Sequence, residues 1–404
     1  MIKSIYESFN GKAIELKKDK NIIFYTSGHG FGHAVRQIEI IKEIFKYNIE
    51  NNREHKVIVR TTAPEWVFNN SLGLFFKKLY PARASEIPRW FSYSRALNDV
   101  GTVQKDSLNM DIAATYEAAR NFYSGFKERA SMEAEFIKSS RADFVVGDIP
   151  PLAFAAAKLA GVRSAGVTNF SWDFIYEEFA SENKGFNEII DIVRSGYEKC
   201  GRLLRLPFAC PLPAFKNVSP VSMIARKPYL SKEEVLKILN LAPEEFEGVK
   251  TVMISFGGFD TDGIKHENLS GYAGKLMFLT TIAPAAGEKY PSNVKFINTG
   301  AGALSFENLF TIFDIIATKP GYGVVGDIIG ADSTCLFTDR GRFREYDYLV
   351  DFLKKHTRSS VYISRNELLN CDFEPRIKEL ESQIKKPAPI DTRGAYECAM
   401  AVIE

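Results

Sequence analysis

His29 and His33 sit in a loop that also carries Gly28, Gly30 and Gly32, and a helical pattern begins at His33. Glycines let backbone amides approach a ligand, and the N-terminus of the following helix favours negative charge. The same helix end favours a neutral imidazole, which suits a base that must accept a proton near neutral pH. A lone histidine is more often structural. His33 is singled out by its place at the helix start, beside a loop open to a ligand, and is the candidate base. His29 is expected to orient the loop or touch a substrate. Arg36, one turn after His33, could bind an anion or pair on the helix surface. A base of this kind commonly has an orienting carboxylate. Asp148 ends the apolar run at residues 142–147, where open α/β sheets place their ligand sites. The alternative for Asp148 is a turn or cap ahead of Pro150 and Pro151. Asp173, beside Trp172 after the next strand, is the fallback.

The second half offers different chemistry. Thr318, Lys319, Pro320, Gly321, Tyr322 and Gly323 end an apolar strand and open a helix, supplying glycines, amides and a cation suited to a diphosphate. Asp327, about one turn beyond Gly323, is placed either to reach ribose hydroxyls or to act as a first-turn helix charge. Arg342 and Glu345 follow the next strand and are expected at the same cleft. Gly257 and Gly258 follow the strand that opens this half. The Asp260-Thr261-Asp262 triplet has the form of a metal site but reads as a turn. The first glycine loop lacks the dinucleotide fingerprint, whose third glycine comes one place later and whose next strand ends in an acid. Here that strand ends at Arg60. No Gly-Lys-Ser/Thr follows any glycine loop, so a P-loop is excluded.

Strand–loop–helix units must position these residues. Apolar, β-prone runs are read at residues 22–25, 56–60, 142–147, 163–168, 251–255, 276–280, 294–297, 313–317 and 335–338. Most are followed by helical periodicity, which implies parallel strands with helical crossovers. A long helix is expected over residues 111–138. Residues 65–110 resist assignment and read as loops and short elements. Within them, residues 74–80 read as a buried strand with two lysines at its tip, the alternative being a membrane-docking segment. The arginines and aromatics between Arg83 and Tyr93 could grip an anionic acceptor or simply pack. Five prolines between residues 206 and 228 mark a linker. Ser231 with Glu234 forms a capping-box pattern.

Composition narrows the class. The chain has 404 residues, long enough for two domains. Its 45% hydrophobic and 25% charged residues are those of a globular protein. A formal charge of +2 gives no electrostatic case for nucleic acid. The five cysteines are scattered and suggest neither a zinc site nor a disulfide framework. The first twenty residues lack the apolar run of a signal peptide, and a cytoplasmic location is expected.

The segments 25–36, 147–151, 169–176, 255–258 and 318–330 together resemble the GT-B glycosyltransferases, in particular the bacterial peptidoglycan N-acetylglucosaminyltransferase and UDP-glycosyltransferase branch. The run Ser27 to Arg36 is similar to the glycosyltransferase-like N-terminal region of L-arabinokinases and its stand-alone bacterial relatives. The resemblance implies two Rossmann-like, doubly wound parallel-sheet domains facing a cleft. An acceptor domain is expected over residues 1–218, a nucleotide-sugar domain over 219–375, and C-terminal helices over 376–404 packing back towards the first domain. The resemblance further implies a nucleoside-diphosphate sugar donor, UDP-linked, and a small-molecule, glycan or lipid-linked acceptor. Transfer would be metal-independent and inverting, with no cofactor. His33 would deprotonate the acceptor hydroxyl and Asp148 would orient His33. Gly28, His29, Gly30, Gly32, Arg36, Trp172 and Asp173 would line the acceptor side. Gly257, Gly258, the turn from Thr318 to Gly323, Asp327, Arg342 and Glu345 would hold the donor. The helix acid is Asp327 where the family usually has Glu, and no kinase phosphate loop occurs in the chain, so arabinokinase activity is not carried over. A non-hydrolysing UDP-sugar 2-epimerase and a non-catalytic sugar-nucleotide sensor share the architecture.

Overall fold

The computed structural model describes residues 18–104, 109–256, 263–284, 289–298, 302 and 304–404. Gly257 and Gly258, and the Asp260-Thr261-Asp262 triplet, lie outside the described residues.

Two parallel sheets organise the chain. The first contains β1 (Asn21–Thr26), β2 (Lys56–Thr61), β3 (Phe91–Arg95), β4 (Phe144–Asp148), β5 (Arg163–Thr168), β6 (Arg202–Arg205) and β7 (Val218–Pro220), in the order β3-β2-β1-β4-β5-β6-β7. The second contains β8 (Lys250–Ile254), β9 (Leu276–Thr280), β10 (Val294–Phe296), β11 (Ile315–Thr318), β12 (Thr334–Phe337) and β13 (Ser360–Tyr362), in the order β10-β9-β8-β11-β12-β13. The central strands β1, β4, β8 and β11 are near-continuous apolar runs because helices cover both faces of each sheet. In each sheet the strand order reverses between the first strand and the fourth, β1 beside β4 and β8 beside β11. A crevice opens at such a reversal, outside the carboxyl ends of the strands. The two reversals bring together the loops after β1, β4, β8 and β11. Ser27 N–H donates to the Asp148 carbonyl at 2.7 Å, and Ser255 N–H donates to the Ala317 carbonyl at 3.1 Å, closing the two strand ends.

The C-terminal helix, Gly394–Ile403, returns to the first domain. Its Cys398, Ala399, Val402 and Ile403 share one core with Ile38, Ile41 and Phe45 of the first helix, Gly32–Asn51. Glu397 on that helix accepts from the Ser222 backbone at 2.7 Å and from its hydroxyl at 2.8 Å, fastening the connecting segment.

Several local readings change. Residues 74–80 are not a strand: they end the Glu65–Leu79 helix and its C-cap, in which Phe68, Leu72 and Phe76 recur every four residues and are buried. Its lysines, Lys77 and Lys78, lie in the last turn, where the helix dipole favours cations. The long helix expected over 111–138 is two, Ile112–Tyr123 and Phe126–Ser139, divided at Ser124-Gly125. The proline-rich window contains β7, an edge strand, where a proline costs no ladder bond. The capping box at Ser231 is formed, with Glu234 N–H donating to the Ser231 hydroxyl at 3.3 Å and the Ser231 N–H to Glu234 at 2.9 Å. Among the described residues no helix is long and apolar enough to cross a membrane.

Candidate active site

A cavity of about 340 Å³ lies where the two sheet reversals face one another. His29, Gly30, Gly32, His33 and Arg36 line it from the first domain. Thr318, Lys319, Pro320, Gly321, Tyr322, Gly323 and Glu345 line it from the second. The two glycine turns approach closely: a Cβ on Gly323 would stand 3.4 Å from Val35 Cγ2. Gly28 lies off the cavity and serves the protein itself, since a Cβ there would stand 1.9 Å from the Thr62 hydroxyl. Gly30 turns the loop at φ +73°.

The chemistry of the first wall centres on Asp148, which is fully buried as the last residue of β4. Its Oδ1 is 2.8 Å from His33 Nδ1 and also accepts from Arg36 Nη2. Its Oδ2 accepts from Arg36 Nε at 2.8 Å and from Gln37 Nε2 at 2.9 Å. His33, Arg36 and Gln37 are the second, fifth and sixth residues of the first helix, so one helical face delivers all three to the carboxylate. Burial alone would raise the Asp148 carboxyl, but the Arg36 guanidinium and His33 overcome it and hold it well below the usual carboxylate range. The carboxylate is therefore permanently charged at neutral pH. With Nδ1–H donated to Asp148, the lone pair of His33 is on Nε2, and the ring itself reaches the cavity with 6% of the residue exposed.

The network crosses the cleft. Arg36 Nη1 donates to Asn169 Oδ1 at 2.9 Å, Asn169 Nδ2 donates to Glu345 Oε1 at 2.7 Å, and Arg340 Nη1 donates to Glu345 Oε2 at 2.8 Å. Arg36 also lies over the Tyr322 ring at 4.8 Å from its centroid. Arg36 is thus not an exposed helix charge: its buried guanidinium donates to Asp148 and Asn169.

Other expected residues stand elsewhere. Trp172 is buried behind the wall, with Nε1–H donating to Asp99 at 2.8 Å and its ring 5.5 Å from that of His29. Asp173 is buried and accepts from Arg194 at 3.1 Å, away from the cavity. Asp327 is buried and bound by Arg226, whose Nε donates to Oδ1 at 3.0 Å and whose Nη2 donates to Oδ2. Arg226 also pairs with Glu307, itself 3.4 Å from Lys42 of the first helix. Arg342 pairs at the surface with Glu178 and Glu182. The region of Arg83 and Arg89 does not line the cavity; these arginines pair with Glu86 and Glu54.

Residues that the sequence did not single out complete the site. Gln37 supports Asp148, Asn169 accepts from Arg36, and Arg340 faces the glycine turn. Phe31, Trp66, Asn70, Ser71, Gln104 and Phe170 form much of the first wall. Gln37 carries a legible signal, being four residues after His33 on one helix face. Phe31 lies within the glycine loop itself, and the others are brought in by long-range packing. Asp99 is buried behind the loop, accepting from Ser27 Oγ at 3.0 Å and from Trp172, and burial pushes its carboxyl up to about 6 despite these donors. Burial, together with the charges of His33, Arg340 and Lys319, lowers His29 to about 3, and its Nε2 lies 3.2 Å from the Thr102 hydroxyl.

No family model matches the chain. L-arabinokinase of Arabidopsis thaliana is 31% identical over 369 residues, 90% of this chain and 32% of that protein, so the chain spans about a third of the relative's length. Among solved structures, the chain is similar to the glycotransferase of kitacinnamycin, with a TM-score of 0.56 and 13% identity over 95% of this chain and 98% of that one. It is also similar to UGT89C1 of Arabidopsis thaliana complexed with UDP-L-rhamnose, with a TM-score of 0.53 and 12% identity over 96% and 94% of the two chains. The spinosyn forosaminyltransferase SpnP gives a TM-score of 0.55 and 12% identity over 95% and 93%. Together with the two parallel sheets, these likenesses establish the GT-B fold.

Proposed function

We propose that this GT-B chain is a glycosyltransferase that moves a sugar from a nucleoside-diphosphate sugar, UDP-linked, to an acceptor hydroxyl without a metal. One observation carries the reading: the His33–Asp148 pair faces, across a single cavity, the glycine turn from Lys319 to Gly323. The sequence likeness to L-arabinokinase and the UDP-L-rhamnose and quercetin complexes of the similarly folded UGT89C1 support it.

In this reading His33 Nε2 takes the proton of the acceptor hydroxyl as its oxygen attacks the anomeric carbon, and the bond from that carbon to the diphosphate oxygen breaks. Asp148 holds the imidazole in the required tautomer and offsets the charge it gains. Arg36 and Gln37 fix Asp148 so that it cannot turn away. Lys319, Arg340 and the amides opening the Tyr322–Gly330 helix lie where the departing diphosphate gathers negative charge. Glu345, tied to Asn169 and Arg340, would contact the donor sugar. A single displacement of this kind inverts the anomeric centre. Asp327 and Arg342 contribute to this scheme through the protein, as partners of Arg226 and of Glu178 and Glu182.

The test is a thermal-shift panel of nucleoside-diphosphate sugars followed by product analysis with and without acceptors. Binding to the native state raises its melting temperature. A UDP-sugar that stabilises the protein and is consumed only when an acceptor is present supports the proposal. Turnover of donor alone to an isomeric UDP-sugar, or binding with no turnover across the acceptors, overturns it.

A further inference from the structure

The first-domain wall of the cavity, beyond His33, carries a second set of side chains with its own chemistry. Phe31 and Trp66 stand edge to face with centroids 5.9 Å apart, and Trp66 is 44% exposed although it is among the largest apolar side chains of the protein. Asn70, Ser71 and Gln104 line the same wall. Gln104 Oε1 is buried and has no hydrogen-bond partner, an acceptor that has lost water and gained nothing in return. A ligand hydroxyl that reaches this amide, once it turns toward the cavity that Gln104 lines, would satisfy it.

Charge is distributed the other way. Among the described residues of this wall the one permanently charged side chain is Arg36, already donating to Asp148 and Asn169. His29 is held neutral by burial. Arg226, Lys319, Arg340 and Glu345 line the cavity from the second domain and its connecting segment, where Arg226 is bound to Asp327 and Arg340 to Glu345.

An exposed indole beside amide and hydroxyl groups, with no uncommitted charge among the described residues of this wall, has the chemistry of a surface for pyranose and furanose rings. The C–H face of such a ring covers the indole while its hydroxyls reach the amides. A phosphate or carboxylate there would lose its hydration with no uncommitted cation among the described residues of this wall to replace it. We infer that the recess formed by Phe31, Trp66, Asn70, Ser71 and Gln104 binds a neutral carbohydrate ring. Calling it the acceptor's recess rests on the glycosyltransferase reading; the binding chemistry does not.

The experiment uses methyl glycosides of arabinose, xylose, glucose and galactose as neutral probes, with glucose 6-phosphate and glucuronate as charged ones. Binding to the whole chain is read by saturation-transfer NMR, and UDP binding is read separately by thermal shift. At least one neutral glycoside is expected to bind in the millimolar range, about tenfold or more tighter than either charged probe. Trp66→Ala and Gln104→Leu should each weaken it by about tenfold or more, Trp66→Phe by less, as expected for loss of stacking and of a hydroxyl acceptor. The melting temperature of each variant reports its fold. Charged probes binding as well as neutral ones, no neutral probe binding, or folded Trp66→Ala and Gln104→Leu proteins that bind unchanged would each overturn the inference. Loss of UDP binding with the glycoside pattern intact would instead remove the transferase reading and leave the carbohydrate site standing.

Discussion

Two buried aspartates follow equivalent strands in the two domains, and they are used in opposite ways. Asp148 ends β4 and Asp327 lies one turn into the helix after β11; β4 and β11 each adjoin the first strand of their sheet. Asp148 is shared between a fixed cation, Arg36, and an imidazole, His33, that opens on the cavity. Asp327 is matched with Arg226 from the connecting segment, and Arg226 is linked through Glu307 to Lys42 of the first helix. A buried carboxylate becomes available to chemistry when one of its partners can change charge and reach a ligand. When all its partners carry fixed charge, it holds domains together.

That contrast can be broken by mutation. The largest effect is expected from Asp148→Asn, which removes the ionic partner of His33 and leaves the Arg36 guanidinium buried without its counter-charge. Single-turnover transfer should fall by about a hundredfold to ten-thousandfold. Denaturant unfolding should show a loss of about 3–5 kcal/mol, the usual result of orphaning one member of a buried pair. Asp327→Asn should cost stability of the same order with little change in transfer by the folded protein. A large rise in donor KM without a stability loss would place Asp327 on the donor and end the contrast. Asn169→Ala, which cuts the bridge from Arg36 to Glu345, is expected to slow transfer by about tenfold, the effect of removing a hydrogen bond to a charged group. A double-mutant cycle with Glu345→Gln should be non-additive, because the two act through one bond network.

The smallest effect concerns pH and Asp99. Its folded-state carboxyl is raised to about 6 by burial, from an ordinary value of about 3.8, so between these the native state holds a proton that the unfolded chain has released. Native stability must therefore fall as pH rises from about 3.8 to about 6 through this group. Asp99→Asn retains an acceptor for Trp172 and should flatten that part of the stability profile, as measured by urea unfolding at successive pH values. Asp148 has the opposite sign: its lowered carboxyl contributes stability above the ordinary carboxylate range, and that contribution is lost only as pH falls through its lower folded value.

What could be read beforehand follows from which interactions are local. Both glycine turns, most strands and the His33–Arg36–Gln37 face are set within a few residues, and the apolar runs and helical spacing carry them. The helix Glu65–Leu79 was obscured because Gly73 and the Asn69-Asn70 pair interrupt its pattern and the closing Phe75-Phe76 pair has strand character. Its Trp66 therefore carries no local mark as a wall of the cavity. The position of Asp327 relative to Gly323 fits a donor role, whereas its partner Arg226 lies 101 residues earlier with no local mark. Asn169 opens the loop that runs to Trp172. Its role as the bridge between Arg36 and Glu345 depends on two domains meeting, which no spacing reveals.

The central claim is that His33 removes the acceptor proton while the second domain holds the donor. The most direct measurement is transfer by His33→Ala, with UDP-induced stabilisation recorded on the same protein. Loss of transfer with the UDP-induced rise in melting temperature retained is the predicted result. A variant that binds UDP and transfers sugar at the parental rate would contradict it.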